Sequence, residues 1–363
     1  MLIEEIIISI SEYLTMEEII KMTMTCKDYN RILFCENILD GRWFTLRTQI
    51  RSLEFIEKLS YKIYNLDINR NFFMKDKDFK YLKNIRGLDM NWCQQEAITD
   101  VAFSYLQDIE YLDMTGCCQK TITDQAFSYL KNIHELNMSN CKQITNKAFY
   151  FLEDIHTLNM SNCNQNTITD EAFQYLQGIH TLNISNCNQE TITHKAFQYL
   201  QGIHTLDISH CNQETITDKT FEYLKGIHTL NMRYCNQETI TDKAFQYLKG
   251  IHTLDMSNCN QITDKAFKYL QCIHTLNISY CDQITDKTFK YLQGIHTLYM
   301  KMCNQETISD IAFHYLKNIH TLDMSCCNQT TITDKTFDIF KNIHSLNISG
   351  CRQKYQHTKY SLF

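Results

Sequence analysis

Proline is absent from the 363 residues, where average usage of about 5% would supply roughly 18. Glycine is also scarce, with nine in the whole chain. No Pro/Gly/Ser-rich linker therefore marks a domain hinge. A chain poor in these two residues and rich in Ile, Asn, Lys and Tyr has the composition of an AT-rich genome, a feature of codons and not of function. No apolar run approaches the roughly 18 residues of a membrane-spanning helix. The opening MLIEEIIISI carries two glutamates in place of a basic leader, so it does not read as a signal peptide. A net charge of −6 offers no basic patch for a phosphate backbone. Nucleotide-binding glycine loops, CxxC pairs and a nucleophile–base–orienter set are missing as well. The expectation is a soluble, cytoplasmic, non-enzymatic protein without cofactor or metal, and with neither nucleic acid nor membrane among its partners.

Cysteine is abundant, at seventeen. Twelve of these thiols form a ladder with steps of 22 or 24 residues: Cys93, Cys117, Cys141, Cys163, Cys187, Cys211, Cys235, Cys259, Cys281, Cys303, Cys327 and Cys351. Such regularity marks a repeat position. The odd total and the lack of an export signal point to reduced thiols, although stacked repeats would bring neighbours close enough for disulfides.

Each rung lies in a line such as Ile227-x-x-Leu230-x-Met232-x-x-Cys235. The pattern L-x-x-L-x-L-x-x-N/C at a fixed period resembles the leucine-rich repeat. Its central leucine recurs thirteen times between Leu66 and Leu346. Alternation in Leu-Asn-Met-Arg is the period of a short strand with one buried face. The following Ile-Thr-Asp-x-Ala-Phe-x-Tyr-Leu has helical spacing. Thr241-Asp242 supplies an N-cap and an acid for the helix dipole. Gly178, Gly202, Gly226, Gly250 and Gly294 occupy the stop position, with Asn84, Asn132, Asn318 and Asn342 in the same slot elsewhere.

The resemblance over residues 60–351 is to the cysteine-containing class of leucine-rich repeats, in units a few residues shorter than that class usually has. It implies an α/β leucine-rich-repeat solenoid, with a parallel sheet on the concave face and short helices on the convex face. Thirteen strands at about 4.8 Å would give a sheet roughly 60 Å long. Such a shape offers area to a macromolecular partner.

Residues 1–46 do not repeat. Ile6, Ile7, Ile10 and Leu14 share one helical face, and Ile19, Ile20 and Met24 the next. By physics alone this is a small helical cap on the open end of the repeats, followed by a helical connection over residues 47–63. The segment also resembles an F-box. Leu2, Ile3, Glu5 and Ile6 stand at its Leu-Pro-x-Glu-Ile start, and Ile10, Tyr13 and Leu14 follow. Glu18-Ile19 takes the Asp-Leu place, Cys26-Lys27-x-Tyr29 the Cys-Lys-x-Trp place, and Trp43 the closing tryptophan. Ile3 replaces the usual proline, and Tyr29 the tryptophan. The whole chain is similar to F-box/leucine-rich-repeat proteins of giant amoebal viruses. That resemblance implies a substrate receptor of an SCF-type ubiquitin ligase, acting in a host cytoplasm. Leu2, Ile3, Glu5, Ile6, Ile10, Leu14, Ile19, Cys26 and Tyr29 would meet a Skp-type adaptor, and the repeats would hold a target protein. The alternative is a stand-alone interaction scaffold with no ligase.

Where a target would touch is suggested by departures from monotony. Several lines read Ser-Asn before the cysteine, as at Ser257-Asn258, but one reads Arg233-Tyr234. Trp92, His210, Tyr280, Tyr299, Lys301 and Met302 break the pattern similarly. Large aromatic and basic side chains favour binding hot spots, while drift at exposed repeat positions would leave the same trace. Ten histidines from His134 to His344 each precede the strand leucine by two residues. A straight row offers a metal two ligands at best, where a site needs three or four converging, so stacking is the expected role. The tail from Arg352 onward is too short for another repeat.

Overall fold

The computed structural model describes residues 65–340 and 343–352, with Leu53 and the backbone of Trp43–Thr45. The F-box-like positions from Leu2 to Tyr29 lie outside the described residues. The chain forms two compact units, residues 1–167 and 168–363.

In the first unit six three-residue strands pair in parallel in sequence order: β1 (Trp43–Thr45), β2 (Asn65–Asp67), β3 (Gly87–Asp89), β4 (Tyr111–Asp113), β5 (Glu135–Asn137) and β6 (Thr157–Asn159). β1 lies inside the stretch assigned to the helical segment, and three residues are too few to show a strand period in the sequence. In the second unit eight more pair likewise: β7 (Thr181–Asn183), β8 (Thr205–Asp207), β9 (Thr229–Asn231), β10 (Thr253–Asp255), β11 (Thr275–Asn277), β12 (Thr297–Tyr299), β13 (Thr321–Asp323) and β14 (Ser345–Asn347). Across β1 and β2 Phe44 faces Leu66, and from β2 onward leucine faces leucine across each described pairing, so the repeat period of the sequence is also the register of the strands.

One repeat shows how the core is built. Leu230, Met232, Cys235, Ile240, Ala244, Phe245, Leu248 and Ile251 are all buried. Burying a side chain of Leu or Phe size contributes about 1.5–3 kcal/mol, and each repeat does so on the same positions. Where threonine replaces the alanine it too is buried, at Thr220, Thr288 and Thr336. At two of these the hydroxyl donates to the preceding repeat, Thr288 Oγ1 to Asp264 Oδ1 at 2.7 Å and Thr336 Oγ1 to Asp310 Oδ1.

The helical stretch is shorter and tighter than the spacing suggests. It forms α or 3-10 turns of three to seven residues, as at Asp218–Glu222 and Asp170–Leu176. The threonine before it caps it: Thr217 Oγ1 accepts the Lys219 N–H at 3.2 Å. The acid at the next position does more than suit the dipole. Asp218 Oδ1 and Oδ2 accept the N–H and the hydroxyl of Thr241, one repeat on. The same carboxylate clamp joins Asp76 to Thr99, Asp264 to Thr285 and Asp310 to Thr333.

The stop position divides into two turn types. Gln177 (φ −63°, ψ 130°) precedes Gly178 at φ +84°, a type II turn that needs a left-handed residue. Gly202, Gly226, Gly250 and Gly294 share that φ within a few degrees, and Asp154 and Cys272 are also left-handed there. The expectation that asparagine substitutes for glycine in this conformation is corrected: Asn84, Asn132 and Asn318 are not left-handed. Before two of them Lys83 and Lys317 stay helical, with ψ near −30°. That geometry makes a type I turn, which places no residue at positive φ. Asn342 lies outside the described residues.

Candidate functional site

Two residues past each strand-face Asp or Asn the chain must turn toward the buried cysteine. The residue just before that cysteine adopts the left-handed conformation: Asn186, His210, Tyr234, Asn258, Tyr280, Met302 and Cys326 all have φ between 57° and 63° in the second unit. Its N–H donates to the next repeat, as His210 does to the Arg233 carbonyl at 2.8 Å. The turn is braced by the Asp or Asn side chain. Asp207 Oδ1 accepts the Ser209 N–H at 2.8 Å, and Asn231 Oδ1 accepts the Arg233 N–H at 3.1 Å. Asparagine tolerates positive φ; a bulky side chain there costs about 1 kcal/mol or more.

Five of the eight target-binding candidates occupy this strained column: Trp92, His210, Tyr234, Tyr280 and Met302. Trp92 belongs to the first unit and the other seven candidates to the second. The His210 and Tyr234 rings stack at 4.5 Å, and the Arg233 guanidinium lies 4.8 Å from the Tyr234 centroid. Asn258 separates this cluster from Tyr280 and Met302 in the same column. Arg233 and Lys301 are exposed one position earlier, where Ser257, Ser279 and Ser325 are buried. Tyr299 stands in β12 at the Asp/Asn position, so the usual turn acceptor is lost. Ser279 Oγ of the neighbouring repeat takes the Lys301 N–H instead, at 3.1 Å. Trp92 lies against Gly116, where an added Cβ would sit 2.6 Å from the indole.

One feature of the first unit was not singled out from sequence. Asp67, Asp89, Glu110, Tyr111, Asn132, His134 and Glu135 line a cavity of about 840 Å³. In the second unit each strand-face acid is followed by a neutral residue, and Asn231 Nδ2 donates to Asp207 Oδ2 at 2.9 Å. Asp67, Asp89 and Asp113 instead stand in consecutive registers. Burial first, then the charges of Asp113 and Asp67, push the Asp89 carboxyl up to about 6. The signal was present in the sequence as three successive Asp after the strand leucine.

The cysteine ladder bonds backward. Cys235 Sγ donates to the Ile208 carbonyl and Cys259 Sγ to Met232, each at 3.1 Å. The cysteines of the described residues are free thiols. Burial raises their pKa, to about 12 at Cys211 and well above the ordinary value at Cys235. The histidines stack. Eight rings from His180 to His344 follow one another with centroids 4.2–4.5 Å apart. His228 Nδ1 lies 3.1 Å from Thr229 Oγ1, and the same pairing holds from His180 to His320. Among the described residues no three His, Cys, Asp or Glu side chains converge as metal ligands would, and no helix is long and apolar enough to cross a membrane.

The BspA type leucine rich repeat region matches residues 48–180, 166–296 and 260–361, in six copies. The chain belongs to this family. BspA-type repeats thus account for the period, the leucine column and the parallel sheets. Among solved structures, a chain of the TLR13–ssRNA13 complex matches 82% of this one at a TM-score of 0.63 and 18% identity. A chain of the Drosophila Toll–Spatzle complex matches 80% at 0.61 and 13%. At such identities the likeness is one of fold, and this BspA-type chain spans only 44% and 43% of those two. No curated protein matches it.

Proposed function

We propose that this BspA-type repeat protein is a non-catalytic receptor that holds a protein partner on the exposed sheet face of residues 168–363. The observation that carries the reading is the left-handed column. His210, Tyr234, Tyr280 and Met302 occupy the position that Asn186 and Asn258 take in neighbouring repeats, and asparagine suits the backbone there better. Large side chains kept at an energetic disadvantage, beside exposed Arg233 and Lys301, are what a contact surface requires.

The finer proposal adds a handle. Residues 1–46 resemble an F-box, so the receptor would serve an SCF-type ubiquitin ligase in the cytoplasm, with Leu2, Ile6, Ile10 and Leu14 docking on a Skp-type adaptor. Its contribution to catalysis would be proximity, raising the local concentration of a target lysine near a charged conjugating enzyme. Co-expression of the full chain with a Skp-type adaptor tests this. Stable co-purification, abolished by Leu2→Asp with Leu14→Asp, is the expected result. An adaptor that never co-purifies removes the ligase role and leaves a stand-alone scaffold.

A further inference from the structure

The side chains just past β9 to β12 form a shaped trough. In one column Arg233, Ser257, Ser279 and Lys301 come from four strands adjacent in register. Three spacings of about 4.8 Å put the two basic residues roughly 14 Å apart along the sheet. The serines between them are small and buried, while both cations are exposed. Tyr234, Tyr280 and Met302 stand one residue further on each line, and Tyr299 two residues before Lys301.

Both cations of the trough stand outside ion pairs: among the described residues neither Arg233 nor Lys301 has a carboxylate within ion-pair distance. The acid within the trough is Asp255, and both its oxygens are engaged. Oδ1 accepts the Ser257 N–H and hydroxyl at 2.9 and 2.7 Å, and Oδ2 accepts Asn277 Nδ2 at 2.9 Å.

We infer that this trough binds an extended acidic peptide segment of the partner, with carboxylates four residues apart. An extended chain rises about 3.4 Å per residue, so positions i and i+4 lie roughly 14 Å apart and face the same side. One carboxylate meets Arg233 and the other Lys301. The side chain at i+2 faces the serine floor between the tyrosines, which suits an apolar residue. The inference rests on the partner-binding reading above and names the chemistry of that partner.

The test uses the full chain and fluorescein-labelled nine-residue peptides, read by anisotropy. One peptide has Glu at positions 3 and 7 with Leu at 5; the others have Gln or Lys in place of both glutamates. The acidic peptide is expected to bind at least tenfold more tightly than either. Arg233→Ser and Lys301→Ser should each weaken it about tenfold, and both install the residue that sister repeats carry there, so the fold is kept. Equal binding of the Lys peptide, indifference of the acidic peptide to both substitutions, or binding of none of the three overturns the inference. If the Gln or Lys peptide binds and is lost in Tyr234→Asn with Tyr280→Asn, the acidic class falls and the partner-binding reading stands.

Discussion

The carboxylate of Asp218 holds Thr241 of the next repeat by two hydrogen bonds, from its N–H and from its hydroxyl, each 2.7 Å long. Thr241 in turn accepts the Lys243 N–H at 3.2 Å. One threonine thus braces the turn that leads into the 3-10 stretch Ala244–Tyr247 and is clamped by the preceding repeat, so local turn formation and repeat stacking share one side chain. Thr241→Val keeps the shape and removes both roles of the hydroxyl. A loss of about 1–2 kcal/mol is expected from urea unfolding. A loss below a few tenths would mean that water replaces the clamp at no cost.

The second unit contains a natural deletion of this clamp. His194 stands where sister repeats have aspartate, and the Thr217 N–H turns instead to Thr220 Oγ1 of its own repeat at 3.3 Å. His194→Asp should rebuild the clamp to Thr217 and stabilise the protein by about 0.5–1 kcal/mol. Slower amide exchange confined to the neighbourhood of Thr217 is the measurement. Unchanged exchange there would show that the gap is already relaxed.

Much of this was legible in the sequence, and the exceptions have physical causes. Leu230, Met232 and Cys235 recur with their spacing because each faces the same core in every repeat, so periodicity alone gives the strand, its buried face and its parallel partner. The sequence shows the acid of the clamp only as a partner for the helix dipole, because Asp218 and Thr241 lie in different repeats and no local pattern joins them. The strained column was hidden for a related reason. The asparagine of lines such as those of Asn186 and Asn258 looks like a polar loop residue, and only the backbone shows that Tyr234 and Met302 occupy left-handed positions. Asn84 and Asn318 erred in the other direction, since asparagine permits positive φ but a type I turn does not call for it.

The stacked histidines should make the protein sensitive to mild acid. Loss of surrounding water, then the neighbouring rings His180 and His228, lower the pKa of His204, and His296 and His344 act alike on His320. A group held below its unfolded value contributes its full stability above about pH 6.5, and that stability is lost as the pH falls, because the unfolded chain takes up protons first. The urea midpoint should therefore drop between pH 7.5 and pH 5. His204→Gln with His320→Gln should flatten the drop. An equal slope in that variant would place the sensitivity elsewhere.

Asp89 has the opposite sign. Its folded carboxyl is raised to about 6, so the native state holds its proton more tightly, and stability falls as the pH rises from about 4 through 6. Asp89→Asn removes the middle charge of the run from Asp67 to Asp113 and supplies an amide, as Asn231 does beside Asp207. At pH 8 the variant should be more stable by about 1 kcal/mol, a figure reduced for the half-exposed position. At pH 4 the two proteins should unfold together. A variant equally stabilised at both values would owe its gain to packing, not to charge.

The cysteine ladder allows a chemical test of the packing. Cys118 and Cys272 are exposed, whereas Cys211, Cys235 and Cys259 are fully buried with their thiols bonded to carbonyls. Burial lifts the Cys211 thiol to about 12 and pushes Cys235 and Cys259 well above the ordinary thiol value, so thiolate is negligible at neutral pH. Iodoacetamide on the native protein, mapped by mass spectrometry, should label Cys118 and Cys272 within minutes. The three ladder cysteines should react only as fast as the protein opens, and urea should equalise the two groups. Rapid native labelling of Cys235 would mean that its repeat is not closed over the thiol, and the solid core from Leu230 to Ile251 would go with it.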